Sequence, residues 1–363
     1  MTEQRKTIRK KAGETEEKGG RPGLYTYHHY TIHLELEGIR GIHALHLVQK
    51  LNHHGTATLW VDTEEEKALD LILQTETDLP VRIYRQEEKQ EIFFCGKLSS
   101  LCAQRQQGLL TLRLVFDGYT RDWDRTQKKQ SFCRRGATYA QVIEEVLSAY
   151  EQKEIRDEVS EGAQLPGMLL QYEETDWAFL QRLASHFSTF LLADNTAAYG
   201  RVYFGLPVRD RGKVLKEQEF SFCQEKGYYR HLPEAEELPP QEMIRWQVVS
   251  PQVLFLGEQV KLDYIEVVVT GIEVRTVKGE PITTYELSRR QGVLAHRKHN
   301  PLIPGMSLVA TVKERWGNQL RVHLDVDAEA GRPDEKESVW FTYAIEMSNF
   351  YCMPEEESKV QRC

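Results

Sequence analysis

The sequence predicts a mainly β protein with an α-helical insertion. Short runs rich in β-branched and aromatic residues, separated by turn residues, fill residues 24–125 and resume at residue 242. Apolar residues at helical spacing are confined to residues 131–193. A smaller set of β-rich runs follows residue 304. With 363 residues, 40% hydrophobic and 10% aromatic, the chain exceeds one ordinary domain and has material for about two or three cores.

Residues 1–22 are rich in Lys, Arg, Glu and Gly, with almost no large apolar side chain, and are expected to form a disordered tail. In residues 23–125, Tyr25, Tyr27, Ile32, Leu34 and Leu36 alternate in part. Strands are then predicted near 44–49, 56–61, 81–84, 91–95 and 109–116, a spacing that suggests a barrel or sandwich.

Residues 126–200 form the helical insertion. Val142, Ile143, Val146 and Leu147 make one apolar stripe, and Trp177, Phe179, Leu180, Leu183 and Ala184 a second. Thr175 suits an N-cap, with Asp176 placed at the positive end of the helix dipole. Residues 151–164 read as a charged connection, and 209–240 as a polar stretch whose run Pro233–Pro240 is an exposed loop. Within residues 201–302, strands are predicted at 242–249 and 285–287, with a Val-rich strand pair at 262–275 bent around Gly271. In 303–363, strands at 308–313, 320–326 and 339–344 follow, with Trp316-Gly317-Asn318 as a turn.

The net charge of −8 opposes nonspecific nucleic-acid binding, which needs Lys and Arg to neutralise phosphates. No apolar run of about 18 residues occurs, so no transmembrane helix and no stable membrane insertion are expected. Met1-Thr-Glu-Gln-Arg-Lys6 lacks an apolar core, so no signal peptide is expected and synthesis is cytoplasmic. Six cysteines without a CxxC pair are expected to be reduced and mostly buried.

His28, His29, His33, His43, His46, His53 and His54 cluster early but show no metal-ligand spacing. The pairs His28-His29 and His53-His54, in strands, would point to opposite faces. No nucleophile elbow, Cys–His setting, glycosidase carboxylate pair or phosphate loop has convincing context. No catalytic residue, metal or cofactor is therefore assigned, and a nonenzymatic protein is expected. The basic run Arg121, Arg125, Lys128, Lys129, Arg134 and Arg135 reads as solvated surface or as a contact with an acidic neighbouring subunit. Trp123, Trp177, Trp246, Trp316 and Trp340 read as core or subunit-interface anchors.

The segment Gln171-Tyr-Glu-Glu-Thr-Asp-Trp-Ala-Phe-Leu-Gln-Arg-Leu-Ala-Ser-His186 resembles the QYxETDxxFLxRLA helix of the VgrG and phage late control D family, the central hub of phage tails and type VI secretion spikes. Ser131-Phe-Cys-Arg-Arg-Gly-Ala-Thr-Tyr-Ala-Gln-Val-Ile-Glu-Glu-Val-Leu147 resembles that family's preceding helix. Tyr203-Phe-Gly-Leu-Pro207 follows in family order, and His299-Asn-Pro-Leu-Ile-Pro-Gly305 is similar to the hub-to-spike junction.

The resemblance implies two hub β-barrels, at 23–125 and 201–302, and the start of an OB-fold barrel at 303–363. It implies a homotrimer that adapts a hexameric tube to a threefold spike. The implied partners are the tube protein, other baseplate subunits and a spike tip or effector, in a phage tail, tailocin or secretion apparatus. The motif residues Gln171, Tyr172, Thr175, Asp176, Phe179, Leu180, Arg182, Leu183, Asn300, Pro301 and Gly305 would be structural, and Arg182 would pair with a carboxylate across an interface. Tyr351-Cys-Met-Pro-Glu355 is similar to a family strand, but Glu356-Glu-Ser-Lys359 stands where a Gly-Asp turn is usual and the chain stops at Cys363, so the barrel is expected to be incomplete.

A different class of reading is an OB-type oligonucleotide or glycan binding module, which needs a basic, aromatic-lined groove. Asp325, Asp327, Glu329, Asp334, Glu335 and Glu337 oppose it. A cell-wall hydrolase is the third class, and no segment is left over to encode one.

Overall fold

The computed structural model describes residues 23–27, 30–36, 38–64, 68, 71–73, 78–85, 91–106, 109–217, 219–334, 336–343 and 353–362. The expected tail at 1–22, the pair His28 and His29, Glu335, Ala344, Tyr351 with Cys352, and Cys363 lie outside these residues.

The first β block comprises β1 (Gly23–Tyr27), β2 (Tyr30–Leu34), β3 (Ile39–Lys50), β4 (Thr56–Thr63), β5 (Pro80–Arg85), β6 (Glu91–Gln106) and β7 (Leu109–Asp117). The predicted runs fall on these strands, which are longer than local pattern indicated. Alternation drives the arrangement: Leu45 and Leu47 of β3 face Leu59 and Ala57 of β4, and all four are buried. Strand order is β1-β2-β5-β6-β7-β4-β3. The block curls until its ends meet, where the hydroxyl of Tyr25 donates to Ile39 O at 2.8 Å and that of Tyr27 to His43 O.

The insertion contains β8 (Gln127–Phe132), α1 (Tyr139–Leu147), β9 (Lys153–Asp157), β10 (Leu169–Thr175), α2 (Asp176–Ser185), β11 (Leu191–Ala193) and β12 (Gly200–Phe204). Both predicted helices are present. The connection predicted over 151–164 instead holds β9, which pairs in parallel with β12. Its pairing partner lies about fifty residues away in sequence, which charge and periodicity do not encode.

The second β block comprises β13 (Arg209–Leu215), β14 (Phe220–Gln224), β15 (Ile244–Val249), β16 (Glu258–Leu262), β17 (Ile265–Val277) and β18 (Glu280–Ser288). The polar stretch at 209–240 therefore contains two strands, a helical turn at Lys226–Tyr229 and a 3-10 turn at Pro233–Ala235 whose Ala235 is buried. Gly271 does not bend a strand pair. It marks a bulge between Val269 and Gly271 within the single strand β17. A Cβ at Gly271 would meet Glu286 Oε2 at 2.9 Å, so glycine lets β17 bond β18 on one side and β3 on the other. Through β3–β17 the two blocks join one 13-stranded sheet over a shared core.

The C-terminal unit is a four-stranded sheet in the order β21 (Phe341–Thr342), β20 (Gln319–Leu324), β19 (Leu308–Trp316), β22 (Lys359–Arg362). Gly317, at φ +57, makes the expected turn between β19 and β20. Residues 325–326, predicted as strand, instead begin the short helix α3 (Asp325–Glu329). Glu357 stands in the turn before β22 at φ +64, a left-handed conformation that suits glycine, and Lys313 holds its carboxylate at 2.8 Å. The fold is mainly β with a small helical part, as the sequence predicts.

Candidate functional site: a junction of two cores

β10 and α2 lie between two hydrophobic clusters, that of the insertion and that of the C-terminal sheet. Strand alternation on β10 sends Leu169 into the cluster of the insertion and Leu170 into that of the C-terminal sheet. Phe179, Leu180 and Leu183 of α2 are fully buried in the insertion cluster, with Phe179 stacked on Phe132 at 5.3 Å. Thr175 is the N-cap, accepting from Ala178 N at 3.1 Å. Its hydroxyl in turn donates to Asp124 Oδ1 at 2.6 Å.

Asp176 does more than complement a helix dipole. It is completely buried, and its Oδ2 accepts from Lys128 Nζ at 2.6 Å and from the Tyr150 hydroxyl at 2.8 Å. Burial, followed by the bond to Asp176, pushes the Tyr150 hydroxyl well above its ordinary range, so it stays a donor. Gln171 Nε2 donates to Asp176 Oδ1 at 2.9 Å and to Glu174 O, while its Oε1 accepts from Gln130 Nε2 at 2.6 Å. Every partner is satisfied, the condition under which a buried polar network specifies one geometry.

Arg182 pairs within the chain. Its guanidinium engages both oxygens of Glu174, at 3.1 and 2.8 Å, and donates to Leu170 O at 2.7 Å. The carboxylate expected across an interface is instead Glu174 of the same chain, two residues before α2, brought to Arg182 by the turn from β10 into the helix. Asn300 ties the junction to the C-terminal unit: its Nδ2 donates to Tyr172 O at 2.8 Å and its Oδ1 accepts from Leu302 N. Pro301 and Gly305 are exposed on the same connection, and Gly305 has φ +76. Ten of the eleven motif residues come from β10, α2 and the turn at 300–302, and Gly305 closes the connection into β19.

Several participants were not legible from local pattern. Asp327, one of the acids that oppose a nucleic-acid groove, is buried and accepts from Ser131 N and Oγ at 2.7 and 2.6 Å. Arg332 donates to Ser131 O at 2.6 Å and to Glu145 of α1. These contacts clamp the C-terminal sheet onto β8 and α1. His54 bridges the first block, meeting Thr120 Oγ1 at 2.9 Å and stacking on Trp177 at 4.3 Å, and burial lowers its pKa.

The basic run is largely consumed internally: Lys128 by Asp176, Lys129 by Glu173, Arg121 by Asp124 and Arg125 by Asp122. His53 and His54 sit in the β3–β4 turn and not in a strand, while His43 and His46 pair with Asp62 and Glu273. Among the described residues no group of three potential metal ligands occurs, and no helix is long and apolar enough to cross a membrane. The four described cysteines are free. Against expectation Cys102 and Cys223 are exposed, because each sits on the outer face of a strand. Trp123, Trp177 and Trp246 are buried, whereas Trp316 is exposed at a hairpin tip.

No family model matches the chain, and no curated protein matches it. Solved structures do. A component of the E. coli type VI secretion system, itself similar in structure to the T4 bacteriophage tail proteins gp27 and gp5, aligns with TM-score 0.59 at 14% identity, covering 83% of this chain and 91% of that one. A chain of the Francisella PdpA–VgrG complex aligns with TM-score 0.56 at 6% identity, covering 88% of this chain and 65% of the other. A 43 kDa tail protein of a Shewanella oneidensis prophage aligns with TM-score 0.52 at 10% identity, covering 71% and 96%.

Proposed function

We propose that this chain, which shares the fold of VgrG-like and phage-tail hub proteins, is a nonenzymatic structural hub of a contractile injection apparatus. The single observation that carries the reading is the fold match across most of both chains to a secretion component that itself resembles two phage tail proteins. In this role three copies seat their β blocks against a hexameric tube, and the C-terminal units lead toward a threefold spike.

The junction supports that role mechanically. A part that passes on the force of contraction needs its cores locked to one another: Asn300, on the connection into the C-terminal unit, and Asp327 each bond to the insertion, while Asp176 and Arg182 brace the insertion itself. The protein is made in the cytoplasm and works within the assembled tail or injection apparatus. The reading is tested by electron microscopy of the chain mixed with a hexameric tube protein of a contractile injection apparatus. Threefold particles capping tube ends are expected, and tubes left uncapped at saturating protein would overturn it.

A further inference from the structure

The two β blocks present unequal edges. β14 hydrogen-bonds β15 alone, and its outer edge has no strand partner among the described residues. Its register sets Phe222 opposite Trp246 and Phe220 opposite Val248. Trp246 and Val248 are buried, yet Phe222 is 67% and Phe220 41% exposed, so the apolar side of the sheet runs out into solvent. An open edge with two phenylalanines is a template for another strand.

A second open edge lies on β6. β5 pairs with β6 only from Glu91 to Lys97, whereas β7 pairs with it as far as residue 106. Residues 99–105 therefore have a strand on one side only among the described residues.

We propose that these two edges meet between copies, β14 of one protomer adding to the 99–105 arm of the next. This rests on the trimeric reading above and identifies its contact. The rows match. Alternation puts Leu101 and Ala103 on one side of the arm and Cys102 on the other, just as Phe220 and Phe222 of β14 oppose Cys223. Laying the apolar rows side by side brings the exposed thiols Cys102 and Cys223 onto the same face. Because two different surfaces meet, the contact is head-to-tail and closes as a ring of chains.

The test uses the full chain treated with diamide, followed by peptide mapping, together with light scattering of Phe222→Asp. A Cys102–Cys223 linked peptide between copies is expected, absent from Cys223→Ser, and Phe222→Asp should fall from three chains to one while still unfolding in a cooperative transition. A trimer untouched by Phe222→Asp and lacking that linked peptide overturns this contact and leaves the trimeric reading standing. Loss of the trimer in Phe222→Asp without the linked peptide overturns the 99–105 arm as the partner. A wild-type chain that stays monomeric at high concentration overturns the trimeric reading, and the contact with it.

Discussion

The first β block closes by laying β1 against β3 and tying the seam with two tyrosine hydroxyls, whereas the second leaves β14 paired on one side with its phenylalanines in solvent. The two blocks share one sheet and one core, so the difference is confined to their edges. It teaches that the seam and the junction around β10 and α2 hold the chain together, whereas the β14 edge has no strand partner among the described residues and is where the proposed contact with a second copy falls.

The strongest way to break this division is to damage the junction. Arg182→Ala leaves the Glu174 carboxylate, itself about one-tenth exposed, without its cation. A loss of about 3 kcal/mol is expected in urea denaturation, and a loss below about 1 kcal/mol would show that the pair does not hold the junction. Thr175→Ala removes both the helix cap and the bond to Asp124, and should cost about 1–2 kcal/mol by the same measurement. At the seam, Tyr25→Phe should cost about 1 kcal/mol, the usual worth of one hydrogen bond. Phe222→Ser at the open edge should change protomer stability by no more than about 0.5 kcal/mol. Equal costs at seam and edge would erase the comparison.

A pH titration sharpens it from another side. Burial, aided by Arg297, Arg182 and His299, holds the His186 imidazole at about 4, below its ordinary 6.5. A ring kept neutral in the fold gains its proton on unfolding. Its contribution is therefore present above pH 6.5 and lost as pH falls toward about 4. Thermal midpoints of wild type should drop through that window, and His186→Gln, which cannot titrate, should show a shallower drop.

Local chemistry made part of this visible in advance. Thr175 before an apolar stripe announces a capped helix, and the Trp316-Gly317-Asn318 turn is equally explicit. The motif around Gln171 located the junction, because the residues that knit the insertion core to that of the C-terminal sheet are largely contiguous. What stayed hidden depends on distant partners. β9 is charged and aperiodic, and it becomes a strand only because β12 lies beside it. Asp327 resembles its solvated neighbours until Ser131, far away in sequence, supplies two donors. In β14 only Phe220 and Phe222 alternate, and two such residues among the charged and polar ones that surround them at 209–219 and 224–226 are too short a run to announce a strand.

The most direct test of the central claim is the mass of the full chain in solution by light scattering, against a single-chain mass of 42.2 kDa. The hub account predicts a mass near three chains across a range of concentrations. A monodisperse species near one chain, even at high concentration, would contradict it.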